Sequence, residues 1–228
     1  MSILGPRFLI LSGILLTGMV LDGCSNGVTA PDDRIVGSGR IVSEQRPVSP
    51  FTGIQVVGIA KVTITQDTIE TLRVEADDNI LARVVTSFNG GMLIVNLQEG
   101  SYGNITVNIF VSMNTVERLE CTGAADFLTA GPIHVDAVVC RITGTGHISL
   151  TGSTSAQTIE ITGAGEVHNF AFTSSHSSVL ISGTGNVEVH AADELNAVIA
   201  GTGNIVYSGN PPVVHQTISG VGNISPRP

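Results

Sequence analysis

Three side chains able to carry proton or metal chemistry recur at a nearly constant interval. They are Asp126, His147 and Glu166, 21 and 19 residues apart. A carboxylate, an imidazole and a second carboxylate held together could relay a proton or ligate a metal through nitrogen and oxygen. Glu120, Arg141 and Glu160 repeat the same two intervals, with a guanidinium between carboxylates. Asp126, Arg141, His147 and Glu166 therefore form the candidate surface cluster. The plainer reading, which the sequence favours, is a solvated face of alternating charge continued by Asn186, Asn204 and Asn223. Exposed pairs of that kind contribute about 0–1 kcal/mol each.

Little else in the chain points to catalysis. The other histidines, His134, His168, His176, His190 and His215, do not share the spacing of His147. No His-x-His, His-Glu-x-x-His or paired-Cys spacing occurs, so neither a metal site nor a cofactor is expected. There is no Gly-x-Ser-x-Gly elbow. The Gly-x-Gly stretches that could suggest a phosphate loop recur too regularly for one.

That regularity identifies the elements that must position the cluster. Six copies of a short glycine motif begin at Gly123, Gly144, Gly163, Gly183, Gly201 and Gly220, at intervals of 18 to 21 residues. A fixed period of that size is the signature of a solenoid. Aligned on the glycine, the residue two before it is Cys121, Ile142, Ile161, Ile181, Ile199 or Ile218. Four after it stand Phe127, Ile148, Val167, Val187, Ile205 and Ile224. Four before it stand Leu119, Cys140, Ile159, Val179, Ala197 and, at the last copy alone, Gln216. Apolar residues at even offsets mean strands with one buried face, so Asp126, His147 and Glu166, at offset three, face outward. The glycines are corners, where the backbone needs either positive φ or room that a Cβ would fill. These columns predict an all-β parallel β-solenoid with 18–21 residues per rung in the C-terminal half.

Composition agrees. The 228 residues include 27 glycines and no Trp, and carry a net charge of −9. Such a surface disfavours nucleic acid and anionic headgroups as partners, and scarce aromatics weaken a sugar-stacking platform.

The first residues read as an address. Arg7 precedes an apolar run from Phe8 to Leu21, long enough for a signal-peptide core and short for a membrane span. Leu21-Asp22-Gly23-Cys24 resembles the bacterial lipoprotein processing box, which implies cleavage before Cys24 and lipidation of its sulfur. An ordinary secretory signal or an uncleaved anchor is the alternative. Ser25 after the cysteine is similar to the outer-membrane default. The divisions expected are a lipoprotein signal peptide at 1–23, a lipidated Cys and flexible tether at 24–36, and the solenoid at 37–228.

In the first half of the remaining chain, alternating segments continue at Val62 and Ile64, Leu72 to Ala76, Leu93 to Leu97 and Ile105 to Val111. Asn89-Gly90-Gly91 marks a turn, and Asp78 to Val85 has room for one helical turn or two. Gly37-Ser38-Gly39, followed by Arg40-Ile41-Val42, reads as another corner. The stretch Arg46-Pro47-Val48-Ser49-Pro50-Phe51-Thr52-Gly53-Ile54-Gln55-Val56-Val57-Gly58, then Lys61 to Gln66, Asp78-Asn79-Ile80-Leu81, Leu93-Ile94-Val95 and the later glycine copies, resembles the head-GIN-domain family of auto-transporter adhesins over about residues 37 to 225. The resemblance implies a right-handed parallel β-helix on bacterial envelope proteins, many of them lipoproteins, and brings no catalytic residues.

Cys121 and Cys140 share the inward face two residues out of step. Their Cα atoms would lie about 8 Å apart, beyond the roughly 7 Å limit for a disulfide. Free thiols are expected, unless a bulge between Cys140 and Gly144 sets them opposite each other. Gln216, Pro226 and Pro228 are expected to cap the last rung. The expected function is a non-enzymatic, lipid-anchored envelope adhesin or scaffold that meets a glycan or protein surface through its outer faces. A polysaccharide-binding or polysaccharide-degrading β-helix is the alternative.

Overall fold

The computed structural model describes residues 33–228. The expected signal peptide, Cys24 and most of the tether lie outside the described residues. Among the described residues no helix is long and apolar enough to cross a membrane.

The C-terminal half is the expected solenoid. Cys121, Ile142, Ile161, Ile181, Ile199 and Ile218 stand opposite one another in successive parallel strands. Phe127, Ile148, Val167, Val187, Ile205 and Ile224 form a second file after the corner. Through Ile199 the first file is fully buried. Rungs about 4.8 Å apart bury what a single rung cannot, and each interior Ile contributes roughly 1.5–3 kcal/mol.

The corner glycines are explained by close approach alone. None of Gly123, Gly144, Gly163, Gly183, Gly201 or Gly220 has positive φ. A Cβ on Gly163 would lie 2.1 Å from the carbonyl oxygen of Gly144, and one on Gly144 2.0 Å from that of Gly123. The backbone ladder runs through the bend: Gly144 N–H donates to Cys121 O at 3.1 Å and Thr145 N–H to Gly123 O at 2.8 Å.

The stack begins one copy earlier than the six motifs suggest. Val56 lies opposite Cys121, and Ala60 and Lys61 lie opposite Ala125 and Asp126, so Gly58 is a seventh corner. A Cβ on Gly123 would meet Gly58 O at 2.1 Å. Between Gln66 and Arg118 the chain leaves this rung, builds its other side and returns. Met92–Leu97 and Val107–Met113 pair parallel with Gly53–Val56 and Ile59–Gln66, opposite to the later rungs. Spatial order therefore differs from chain order.

The first half also departs from a plain solenoid. Thr71–Asp77 runs antiparallel to both Ile41–Arg46 and Val107–Met113, and Val84–Asn89 antiparallel to Met92–Leu97. Gly37-Ser38-Gly39 is not a rung corner, since the strand after it belongs to this antiparallel layer and Gly39 has φ +79°. Gly90 and Gly91 do form the expected turn, at φ +57° and +76°. Asp78–Leu81 makes one helical turn. The Asp77 carboxylate, buried beside it, accepts the N–H groups of Gly39 and Thr106, each at 2.7 Å.

Rung lengths differ, and the surplus is absorbed at the bend opposite the glycines. Pairing slips between Asn169 and Thr173 and again between Ser174 and His176. There a polar knot replaces the apolar interior. Buried Gln157 donates to Ser174 Oγ at 3.1 Å and Ser177 Oγ at 3.0 Å, and accepts from Asn169 Nδ2 at 3.2 Å. Ser174 Oγ–H donates to His190 O at 2.7 Å.

Cys121 faces Ile142 and Cys140 faces Leu119, in an unbroken register that holds no bulge before Gly144. Both thiols are free and buried. Burial pushes the Cys140 thiol up to about 12. Cys121 is also raised, by burial first, while its Sγ–H donates to Thr145 O at 3.2 Å.

The expected cap is not formed. Gln216 and Pro226 occupy the last rung without covering it, and Ile218 is 46% exposed. Arg227 instead folds back along the side, its N–H on Tyr207 O at 2.7 Å and its guanidinium 4.5 Å from the Phe170 ring centre.

Candidate functional site

The strand after each corner turns its odd offsets to solvent. The third position forms one file: Lys61, Asp126, His147, Glu166, Asn186, Asn204 and Asn223. Asp126, His147 and Glu166 are each about half exposed. Asp126 Oδ1 lies 2.9 Å from His147 Nδ1, and His147 Nε2 lies 3.7 Å from Glu166 Oε2. The spacing of these three in the sequence thus becomes a contact in space.

His168 joins them, although its place in the repeat gives no sign of it. It sits two residues after Glu166 on the same outward face. Its Nε2 lies 3.4 Å from Glu166 Oε2 and its Nδ1 3.0 Å from Glu188 Oε2 on the next rung. The result is a zigzag of three carboxylates and two imidazoles. Its signal was the same-face pair Glu166 and His168 with Glu188 one rung on. The hydrogen bond to Glu188 holds the His168 pKa above its ordinary value against partial burial, with further help from the charges of Glu188 and Glu166.

Arg141 lies apart from this group, on the strand before the corner. Its Nε donates to Glu160 Oε2 at 2.7 Å, and its Nη1 lies 3.8 Å from Glu120 Oε1. The Glu160 hydrogen bond raises its pKa further. The four residues of the expected cluster are thus divided between two faces. Beyond Glu166 the file continues as an amide ladder: Asn204 Nδ2 donates to Asn186 Oδ1 at 3.0 Å, and Asn223 N–H to Asn204 Oδ1 at 3.1 Å.

Beside this file run two shallow clefts that share Thr145, Gly146 and His147. One, of about 350 Å³, is lined by Ile59 to Lys61, Ile105 to Asn108 and Ala124 to Asp126. The other, of about 420 Å³, passes Gly165, Gly185 and Gly203 with Glu166, Asn186 and Asn204 at its edge. The floor is built of small residues: Gly146 stands opposite Ala125 and Gly165, and a Cβ on Gly146 would lie 2.1 Å from Ala125 O.

Chemically, this face offers neutral and charged hydrogen-bonding groups at rung spacing over a glycine and alanine floor. Both nitrogens of His147 and His168 face carboxylates, and none of these groups is dry. Among the described residues no three His, Cys, Asp or Glu side chains converge in a metal-holding geometry. The arrangement suits non-covalent contact.

Comparison with known proteins agrees with this fold. A solved structure of a "putative adhesin" from Bacteroides fragilis is similar with a TM-score of 0.70 at 18% identity, covering 85% of this chain and 100% of that one. A "putative lipid binding protein" from Parabacteroides distasonis gives 0.55 at 21% identity, covering 86% and 100%. A "putative adhesin" from the same species gives 0.55 at 20%, with 86% and 100% covered. At these identities the likeness is one of fold. No curated protein matches the sequence. The family model described as "Putative auto-transporter adhesin, head GIN domain" matches residues 50–211, and the chain belongs to that family.

Proposed function

We propose that the protein is a non-enzymatic envelope adhesin that meets its ligand along the cleft beside the Asp126–Asn204 file. The observation that carries this reading is the continuity of the two clefts through His147, over a file of hydrogen-bonding side chains spaced by the rungs. A long, shallow, repeating face favours many weak contacts over one deep pocket, and such contacts gain strength by multiplicity. The ligand is a glycan or a protein surface. A degrading enzyme of the same fold would need an activated carboxylate or base, and the carboxylates here are half exposed and paired with histidines.

Anchoring through Cys24 completes the reading, with the outer membrane as the site in a bacterium that has one. Its support is the Leu21-Asp22-Gly23-Cys24 box and Ser25. Several acyl chains on one residue give stable attachment. Binding of the purified protein to glycan arrays and matrix proteins tests the adhesin reading, with Asn186→Leu/Asn204→Leu as the variant. Loss of binding with unchanged melting is expected; undiminished binding would place the contact elsewhere. Metabolic labelling with a tagged fatty acid tests the anchor, and Cys24→Ser should abolish the label.

A further inference from the structure

The last rung ends on two strands, Val213–Ile218 and Val221–Pro226, each hydrogen-bonded to the stack along one edge. Core chemistry continues into this rung, over which no described residue is stacked. Ile218 stands in the file of Ile161, Ile181 and Ile199, which are 0% exposed, yet is itself 46% exposed. Val213 and Val221, exposed at 42% and 70%, add apolar surface on the outer face of the same rung, opposite Glu194 and Thr202. An open strand edge is ordinarily guarded by a lysine or an inward charge. Here no Asp, Glu, Lys or Arg occurs from Leu195 to Pro226, in a chain of net charge −9.

We propose that this end is an interface between two copies of the chain, paired antiparallel along Val213–Ile218 about a two-fold axis at Gln216. The charge pattern favours a second copy: two molecules of net charge −9 repel least where neither carries charge. A two-fold contact is closed. Head-to-tail growth is disfavoured, because the outermost strands at the other end are guarded by charge: Ile41–Arg46 carries Glu44 and Arg46, and Arg46 Nη1 covers the edge of Val84–Asn89 by donating to Val84 O at 2.7 Å. Arg227 turns back toward Phe170 and does not cover this end.

The register follows from the pleat. Directly opposed residues of an antiparallel pair share a face, and a one-residue slip turns every side chain over. Keeping the inward set inward allows only shifts by two residues, and of these the one centred on Gln216 sets it opposite the partner's Gln216 and Val214 opposite the partner's Ile218, so that the two amides meet. The single polar residue of the inward column thereby gains a role. Two primary amides related by the axis can each donate to the other, which fixes alignment as a lone buried amide does in a coiled coil. Val221–Pro226 is the poorer edge, because Pro226 has no N–H.

The test is thiol cross-linking of the full chain in its membrane, with Gln216→Cys, a short bismaleimide and a gel run without reductant. A covalent product of twice the chain mass is expected. None should form from Thr184→Cys on the corner ridge or from the unmutated chain, whose Cys121 and Cys140 are buried and whose Cys24 is blocked by the lipid of the proposed anchor, on which this control rests. Ile218→Lys added to Gln216→Cys should remove the product. By sedimentation equilibrium in density-matched detergent, Ile218→Lys alone should weaken the dimer at least about tenfold, or roughly 1.4 kcal/mol. Its melting followed by circular dichroism should be unchanged within a few degrees. A monomeric wild type at tens of micromolar, a product of another mass, or equal cross-linking from Thr184→Cys would each overturn the proposal.

Discussion

His147 and His168 meet on one carboxylate oxygen: the Nε2 atoms of the two rings lie 3.7 and 3.4 Å from Glu166 Oε2. They come from strands one rung apart, and each ring reaches a further carboxylate, Asp126 or Glu188, through Nδ1. Every imidazolium in this zigzag would sit between two negative charges.

A pH dependence follows for His168. Its folded pKa is raised, so its stabilising contribution is full below the ordinary histidine value of about 6.5 and is lost as pH rises through the raised value. His168→Gln should flatten the fall in melting temperature between mildly acidic and mildly basic pH. The ring is half exposed, so the change should stay within roughly 2–4 °C. Following the ring proton by NMR gives the direct measurement, and a midpoint at or below the ordinary value would refute the assignment.

Ile181→Asn places an amide in the dry file between Ile161 and Ile199. Loss of the burial and an unmet amide together should cost about 3–5 kcal/mol. Calorimetry should show a large drop in melting temperature; near-wild-type melting would count against the register.

Gly163→Ala and Gly131→Ala separate crowding from backbone freedom. Neither glycine has positive φ, but a Cβ at Gly163 would lie 2.1 Å from Gly144 O, whereas at Gly131 nothing lies within 4 Å. Overpacking at Gly163 should cost about 1–3 kcal/mol or more, and Gly131→Ala should be close to neutral. Equal denaturant midpoints for the two variants would remove crowding as the reason for the glycine file.

The thiols give a chemical check. Cys121 and Cys140 should resist Ellman reagent in the folded protein, since both are buried and raised above the ordinary thiol range. Both should react once the chain is unfolded without reductant. A missing pair of thiols under those conditions would mean that a disulfide had formed.

Much of the architecture was legible because one period governs it. Isoleucines at offset minus two and glycines at zero could be read directly as files, and offset three foretold the contact of Asp126, His147 and Glu166. Gly58 escaped because 65 residues separate it from Gly123, although Val56, Ala60 and Val62 keep the even offsets. Alternation in Leu72 to Ala76 signals a strand but not the direction of its neighbour, so the antiparallel layer was not foreseeable from it. His168 escaped because its contacts run diagonally between files. The knot of Gln157, Asn169, Ser174 and Ser177 arises where a rung of 20 residues meets one of 18, which no single-rung pattern expresses.

Because the glycine bends admit no added atom, variation in rung length is confined to the opposite side of the coil. A peptide tag or foreign epitope inserted at Gly131 or Ser155 would bulge outward there and leave the Asp126–Asn204 face in its present alignment. The scaffold thus separates a side that can be rewritten from a side that cannot, and library design on this fold would begin by respecting that division.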